Sequence, residues 1–261
     1  MNSVTSLIFF FLVIAVSAAP QLPVQTLEDP APVTKIITCG GLIDASSAQI
    51  DLQVGGSIRA DQRCIWLVKP PLNRQRFSLT STGLGENDGL FVSTYMLGVV
   101  GPPIKISTVG QNHTLTSDLV MVTLSVGHGP TRGFSLTYFS SGSYVGPVLT
   151  GYTELTATAG NYSYPEDGGN YRNSENALFV IAPSVPGRPT LRFTFVELEF
   201  EGNCSYDSVR IFNWFDNNYI EVSRFCGTTI PPSLTLIEGA GIVTFRSDSS
   251  EVRRGFKFEW V

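Results

Sequence analysis

The two halves of the sequence repeat each other, and this repeat limits the possible folds more than any other feature of the chain. The matched segments are 64–70 with 177–183, 88–92 with 207–211, and 132–138 with 254–260. The last pair shares the phrase Arg-Gly-Phe followed by alternating residues. A repeating unit of about 110 residues has the size of a domain rather than of a solenoid repeat. We therefore expect two related domains in tandem.

Apolar and polar residues alternate in short segments of each half. Phe256, Phe258 and Trp260 alternate with Lys257 and Glu259. A period of two residues is typical of an antiparallel strand with one buried face. The 25 Gly and 16 Pro supply turns between such strands. We predict an all-β protein of two tandem antiparallel β-sandwiches. The predicted boundaries are 39–139 for the first domain, 140–152 for a Ser- and Gly-containing linker, and 153–261 for the second domain.

The composition excludes two classes of protein. A hydrophobic fraction of 43% is too high for a disordered chain. The net charge is −5, with 17 Lys and Arg against 22 Asp and Glu, and no long basic cluster occurs. Because nucleic-acid binders need a basic face, we do not expect nucleic acid as a partner.

The N-terminus has the pattern of a secretion signal. Residues 7–16 form an uninterrupted apolar run, too short for a membrane span of roughly 20 residues. The small residues that follow are typical of a cleavage site. We predict a signal peptide at 1–18, a leader of the mature chain at 19–38, and a secreted, extracellular protein without a membrane span. Three glycosylation sequons agree with this route, at Asn112, Asn161 and Asn203.

Four cysteines form two close pairs, one in each half of the chain. The spacing favours Cys39–Cys64 and Cys204–Cys226 disulfides, although four cysteines allow two other pairings. In an oxidising compartment each disulfide would stabilise the fold by about 3 kcal/mol, given the length of the loop that it closes. A zinc site is the alternative, but the chain has no Cys-x-x-Cys motif and neither of its two His lies near a cysteine pair.

The second half resembles the CUB domain family of extracellular β-sandwich modules. The resemblance rests on residues 204–207 (Cys-Ser-Tyr-Asp), 225–227 (Phe-Cys-Gly) and 255–256 (Gly-Phe), in an order and spacing that cover nearly all of 153–261. The first half is similar but divergent, through residues 39–41 (Cys-Gly-Gly), 64–66 (Cys-Ile-Trp) and 133–134 (Gly-Phe). The resemblance implies a jelly-roll type of sandwich. A typical member has two disulfides, and each half here retains one of them.

The resemblance also implies a calcium site in the second domain. Its carboxylates would come from Glu199, Asp207 and Asp248, with Ser250 as a further oxygen ligand. Ca²⁺ takes six to eight oxygen ligands, and three carboxylates on separate loops suit it. The third loop reads Asp-Ser-Ser-Glu where the family often has Asp-x-Ser-Asn. Three unrelated surface acids at one end of a sandwich are the alternative interpretation.

No calcium site is expected in the first half. It retains Asp88 as the counterpart of Asp207. At the position that corresponds to Glu199 it has Thr-Ser-Thr-Gly at 80–83, and Gly-His-Gly at 127–129 replaces the loop of Asp248. One carboxylate does not hold a hard divalent cation. His128 is therefore interpreted as an exposed loop residue rather than a metal ligand.

The expected function is non-catalytic binding. By resemblance, the calcium-loaded module receives a basic side chain, often Lys, of an extracellular protein partner. The alternatives are a structural or carbohydrate-binding protein similar to the seminal-fluid members of the family, or a non-catalytic relative of a CUB-containing protease. A glycan partner would need exposed rings, for which Trp214, Phe215 and Tyr219 are the candidates. The favoured interpretation of these three residues is a hairpin tip whose rings fold back onto the sheet. An enzyme is not expected, because two His and no Gly-x-Ser-x-Gly motif offer little to a catalytic triad.

Overall fold

The computed structural model describes residues 33–146 and 148–261. The predicted signal peptide, 1–18, lies outside the described residues, as does the leader up to residue 32. The described residues form twenty strands and no helix, which agrees with the all-β prediction. No helix within this described part has the length and apolar character needed to span a membrane.

The first eleven strands belong to the first half of the chain. They are β1 Thr34–Ile36, β2 Gly41–Ile43, β3 Ser47–Ile58, β4 Arg63–Val68, β5 Leu72–Thr82, β6 Gly89–Met96, β7 Val99–Val100, β8 Ile104–Lys105, β9 Asn112–Thr116, β10 Leu119–Ser125 and β11 Thr131–Tyr144. The remaining nine belong to the second half. They are β12 Gly151–Leu155, β13 Gly160–Tyr164, β14 Asn176–Ile181, β15 Thr190–Glu197, β16 Ser208–Phe215, β17 Asn218–Phe225, β18 Leu234–Thr235, β19 Gly241–Arg246 and β20 Gly255–Trp260.

These strands form four sheets, two in each half. Sheet A has the order β1-β3-β11-β5-β9, and sheet B has the order β2-β4-β10-β6-β7, with β8 also paired to β6. Sheet C has the order β12-β14-β19-β16-β17, and sheet D has the order β13-β20-β15-β18. The pairings are antiparallel except for three edge pairs, β1 with β3, β2 with β4, and β12 with β14.

Each pair of sheets encloses a core of alternating apolar side chains. In the first sandwich, Trp66 of sheet B meets Phe134 of sheet A edge to face, with ring centroids 6.1 Å apart. In the second sandwich, Phe179 of sheet C meets Phe256 of sheet D in the same manner at 5.8 Å. These positions are the inward-facing residues of the period-2 pattern, so the sequence alternation is realised as sandwich packing.

A third apolar cluster joins the two sandwiches, because the outer face of sheet B packs against the outer face of sheet C. Fourteen buried side chains form it: Ile65, Leu67, Phe91, Tyr95, Leu119 and Met121 from the first sandwich, and Leu178, Val180, Ala182, Phe212, Trp214, Tyr219, Ala240 and Ile242 from the second. Two buried hydrogen bonds cross this junction. The Tyr95 hydroxyl donates to Asn176 Oδ1 (3.0 Å), and the hydroxyls of Thr123 and Tyr219 lie 2.7 Å apart.

This junction buries two of the three candidates for an exposed sugar platform, Trp214 and Tyr219. Trp214 is fully buried and Tyr219 is 7% exposed, while Phe215 alone is 42% exposed. Trp214 and Tyr219 face sheet B because they alternate with inward-facing residues of their strands. Their rings are therefore unavailable for stacking on a sugar.

The strands also occupy part of the segment predicted as a linker. β11 continues to Tyr144 and pairs with β5 through Ser140, opposite Gln75, and through Ser141. The next strand begins at Gly151. Residues 140–144 are thus part of sheet A. Small polar residues are compatible with the end of a strand as well as with a loop.

Both predicted disulfides are present. Cys39 pairs with Cys64 and Cys204 pairs with Cys226, with Cα–Cα distances of 5.0 and 5.4 Å. Because each bridge stays within one sandwich, neither ties the two halves together. All four cysteines are used.

Candidate metal centre

Three acids meet at one end of the second sandwich. Glu199 follows the end of β15, Asp207 immediately precedes β16, and Asp248 follows the end of β19. These strand ends lie at the same edge, so the connecting loops converge there. One carboxylate oxygen from each residue lies within 4.8 Å of the other two. Among the described residues, this is the one group of three such ligands placed to hold a single ion.

The Asp207 carboxylate is buried and held by two donors. Its Oδ1 accepts a hydrogen bond from the Asp248 backbone N–H (2.8 Å), and its Oδ2 accepts one from the Tyr171 hydroxyl. The Tyr171 oxygen in turn accepts the backbone N–H of Glu199 (3.0 Å). Tyr171 is 1% exposed and thus fixes two of the three acid-bearing loops relative to each other.

Tyr171 was not among the site residues predicted from the sequence. Its signal was present, because it belongs to the segment that leads into the second domain's first core strand. Its role depends on a contact across 36 residues to Asp207, which no local pattern encodes.

Glu199 carries the observation that best fits a cation. Its Oε2 atom is buried and has no hydrogen-bond partner among the described residues. A buried, unpaired carboxylate oxygen is costly, since it has lost its water without gaining a donor. A cation bound between the three acids would supply the missing partner, and oxygen-only ligands are those that Ca²⁺ prefers.

The electrostatics of the three acids are unfavourable without a cation. Burial raises the pKa of Glu199, and the neighbouring Asp248 and Asp207 carboxylates raise that pKa further. Burial also raises the pKa of Asp207, against the lowering effect of hydrogen bonds from Tyr171 and the Asp248 backbone. Like charges in a desolvated cluster disfavour the ionised forms, and a divalent cation reverses this effect.

Ser250 lies on the same loop as Asp248 and is bonded to it. The Ser250 backbone N–H and hydroxyl donate to Asp248 Oδ1, at 2.8 and 3.2 Å. This turn orients the Asp248 carboxylate, so Ser250 contributes as a positioning residue in addition to its predicted ligand role. Glu251 follows it and pairs with Arg253 at 2.7 Å.

The corresponding position of the first sandwich is satisfied without metal. Asp88 Oδ1 accepts the Gly127 N–H (2.9 Å), and its Oδ2 accepts the Gly85 N–H (2.6 Å). Although burial alone would raise the pKa of Asp88, hydrogen bonds from Thr131, Gly127 and Gly85 lower it overall. His128 is exposed and its Nδ1 lies 2.8 Å from Asp61 Oδ1, away from any acid cluster.

The opposite pKa shifts of Asp207 and Asp88 predict opposite pH effects in metal-free buffer. The raised pKa of Asp207 contributes stability at low pH that is lost as the pH rises above its ordinary value of 3.8. The lowered pKa of Asp88 contributes stability above 3.8 that is lost as the pH falls. Between about pH 4 and pH 7, we expect Asp207→Asn to gain stability relative to the unsubstituted chain, and Asp88→Asn to lose it. Urea denaturation from about pH 2 to pH 7 measures both differences. The stabilisation by Asp207→Asn should grow as the pH rises above 3.8, and the destabilisation by Asp88→Asn should fade as the pH falls below 3.8. Stability changes of the same sign for the two variants at pH 7 would contradict the assignment.

The three sequon asparagines are exposed. Asn112 lies on β9 of sheet A, Asn161 lies on β13 of sheet D, and Asn203 lies in the loop between Glu199 and Asp207. All three are thus positioned to carry a glycan without disturbing a core.

The second half of the chain is similar to a known family of domains. The sequence model of the CUB domain matches residues 150–260. Human cubilin is 26% identical over 229 residues, which is 84% of this chain and 6% of cubilin. Protein SpAN of Strongylocentrotus purpuratus is 33% identical over 110 residues, 42% of this chain and 17% of that protein. The zinc metalloproteinase nas-39 of Caenorhabditis elegans is 25% identical over 191 residues, 73% of this chain and 20% of that protein. The chain thus spans a small part of these relatives' length.

Solved structures were also compared with this chain. The CUB1-EGF-CUB2 domains of rat MASP-1 match with 16% identity and a TM-score of 0.37, covering 85% of this chain and 99% of that one. The MASP-1 CUB2 domain bound to Ca²⁺ matches with 22% identity and a TM-score of 0.37, covering 41% of this chain and 96% of that one.

Proposed function

We propose that this protein, whose residues 150–260 match the CUB domain model, is a non-catalytic, extracellular binding protein whose second sandwich binds Ca²⁺. The ligands are Glu199, Asp207 and Asp248, and the loaded site receives a basic side chain of a protein partner. The observation that carries the proposal is the buried Glu199 Oε2 atom, which lacks a hydrogen-bond partner among the described residues. The Glu199 carboxyl also has an oxygen within 4.8 Å of oxygens of both other acids.

The residues of this chain have distinct tasks in such a site. Bound Ca²⁺ would supply the positive charge that lets three adjacent carboxylates stay ionised. Tyr171 holds Asp207 and the Glu199 loop in register, and Ser250 orients Asp248. The carboxylate lone pairs that face away from the metal then remain available to a partner's ammonium group.

Exposed aromatic side chains flank the acid-bearing loops. Phe200, next to Glu199, is 76% exposed, and Tyr206, next to Asp207, is 48% exposed. The aliphatic stem of a lysine packs favourably on such rings while its charged end reaches the carboxylates. The site therefore offers both parts of a lysine a matching surface.

Secretion through the segment 1–18 and glycosylation of Asn112, Asn161 and Asn203 belong to the same proposal. Two disulfides and three exposed sequons support an oxidising, secretory route. The relatives named above share CUB regions with this chain, so the binding role is proposed for the module and not taken from their whole activities.

Calcium-dependent capture tests the proposal. We expect the immobilised full chain to retain a partner from extracellular fluid in about millimolar calcium and to release it in chelator, since extracellular sites bind at roughly 10⁻⁴ to 10⁻³ M. Asp207→Ala should lose this capture, and Asp88→Ala should retain it, because Asp88 is already satisfied by backbone donors.

Acetylation of the lysines of the proteins in the extracellular fluid tests the partner's side of the interaction. It removes the positive charge and should abolish capture by the unsubstituted chain. Capture that persists in chelator, or that is equal for Asp207→Ala and Asp88→Ala, would contradict the proposed function.

A further inference from the structure

Three arginines lie together on the outer face of sheet C. Arg210 on β16 is directly opposite Arg224 on β17. Arg246 on β19 pairs with Ser208, two residues from Arg210 and on the same face. Like charges directly opposite each other destabilise an antiparallel pair, and a third charge on the diagonal adds to the effect. The register therefore concentrates positive charge where sheet pairing alone would disfavour it.

One carboxylate serves this arginine cluster. Glu221 binds Arg224 through two bonds, at 2.7 and 3.0 Å. It lies 3.8 Å from Arg210 Nη1. Within residues 33–146 and 148–261, Arg246 makes neither an ion pair nor a side-chain hydrogen bond. Three positive charges thus face one negative charge.

Arg210 is more enclosed than Arg224, whose side chain is 41% exposed. Its side chain is 14% exposed, and its guanidinium donates no hydrogen bond to the described residues. Burial lowers the pKa of Arg210, and the charges of Arg224 and Arg246 lower it further. Buried guanidinium groups are ordinarily paired with carboxylates or phosphates, because the cost of losing water must be offset. Arg210 shares its one counter-charge, Glu221, with Arg224, and this deficit of negative charge is the second observation that points to a ligand.

The cluster lies at the rim of the junction between the sandwiches. Thr244, which pairs with Arg210, faces the β6–β7 turn, where a Cβ on Gly98 would lie 3.6 Å from the Thr244 hydroxyl. Asn176, which pairs with Arg246, accepts the Tyr95 hydrogen bond from the first sandwich. A ligand on the arginines would therefore lie next to both sandwiches.

We propose that Arg210, Arg224 and Arg246 form a binding site for an oxyanionic group, a sulfate or a carboxylate, of a ligand. The planar guanidinium presents paired donors that match the oxygens of both groups. The site is separate from the three acids of the metal centre and requires no calcium. Sheet C would thus carry a binding surface for anions, whereas the metal centre binds cations.

Titration of the full chain with inorganic sulfate, followed by calorimetry and NMR, tests this site. The buffer is made metal-free over a chelating resin, so that no soluble polycarboxylate competes. We expect saturable binding that weakens as sodium chloride is raised. Arg246→Gln should reduce the affinity about tenfold, since a hydrogen bond to a charged group is lost. Arg246 has no ion pair among the described residues, so this change should leave the fold intact.

Arg192→Gln is the matched control. Arg192 is an exposed strand arginine on sheet D, paired with Glu259 at 2.7 Å. The Arg192→Gln variant should bind sulfate as the unsubstituted chain does. No saturable sulfate binding, or equal weakening by Arg192→Gln and Arg246→Gln, would overturn the proposal.

Two further ligands identify the source of the oxyanion. A sulfated disaccharide that binds more tightly than its unsulfated form, with the same loss in Arg246→Gln, assigns a sulfated glycan. If a glutamate-rich peptide binds and its affinity falls in Arg246→Gln, while the disaccharide does not bind, the ligand is an acidic protein segment.

Discussion

Replacing Trp214 with alanine is expected to lower the free energy of unfolding by about 3–5 kcal/mol. Trp214 is fully buried between the sandwiches, with its ring centroid 5.3 Å from that of Phe91 and 4.8 Å from that of Tyr219. Truncation leaves a cavity that two opposed sheets cannot close, because each is fixed by its own core. Urea denaturation followed by circular dichroism measures the loss.

The neighbouring Phe215 provides the control for this prediction. It is 42% exposed, so Phe215→Ala should cost less than about 1 kcal/mol. A Trp214→Ala variant as stable as Phe215→Ala would show that the junction contributes little. It would restore the view of two sandwiches that are joined by the chain alone.

Removing the Cys204–Cys226 disulfide is expected to cost about 3 kcal/mol and to weaken calcium binding as well. The bridge closes a 22-residue separation, for which the chain-entropy relation gives this magnitude. Cys204 lies in the loop between Glu199 and Asp207, so the same bond restricts the loop that presents two ligands. The double change to alanine avoids leaving a free thiol. Unfolding and calcium titration of the full chain measure the two effects.

Removal of the Cys39–Cys64 disulfide is the control that separates the loss of stability from the loss of calcium affinity. This disulfide spans 25 residues in the first sandwich, so its removal should cost a similar amount of stability. It does not touch an acid-bearing loop, and calcium affinity should therefore be unchanged. Equal loss of calcium affinity in both double variants would indicate a general effect of destabilisation and contradict the loop argument.

The fold class and the positions of the three acids could be predicted because both depend on local or repeated patterns. The alternation of Phe256, Phe258 and Trp260 places all three in the core, as period-2 burial requires. Glu199, Asp207 and Asp248 converge because they occupy the loops that the family resemblance indicated.

The junction between the sandwiches was missed, although the sequence carries a signal for it. β10 (Leu-Val-Met-Val-Thr-Leu-Ser) and β14 (Asn-Ala-Leu-Phe-Val-Ile) are buried at every position. Continuous apolar strands are typical of sheets covered on both faces. A sandwich with one solvent-facing side would instead alternate, as β20 does with the exposed Lys257. The pattern shows that a face is covered, but the covering partner is a long-range choice that it does not encode.

The arginine cluster was missed for a related reason. Arg210, Arg224 and Arg246 are separated by 14 and 22 residues, and each is unremarkable in its own segment. Only the register of β16 with β17 and β19 brings them together. Which residues of neighbouring strands meet depends on the strand register. A bulge between Ile211 and Phe212 shifts the register of β16 with β17 by one residue.

Calcium titration by calorimetry tests the central claim most directly. The full chain should bind one Ca²⁺ with a dissociation constant of roughly 10⁻⁴ to 10⁻³ M. Asp207→Asn should give no binding heat, because it removes a buried carboxylate from the set of three, and Asp88→Asn should titrate as the unsubstituted chain does. No binding heat for the unsubstituted chain, or equal binding by Asp207→Asn, would contradict the assignment of Glu199, Asp207 and Asp248 as a calcium site.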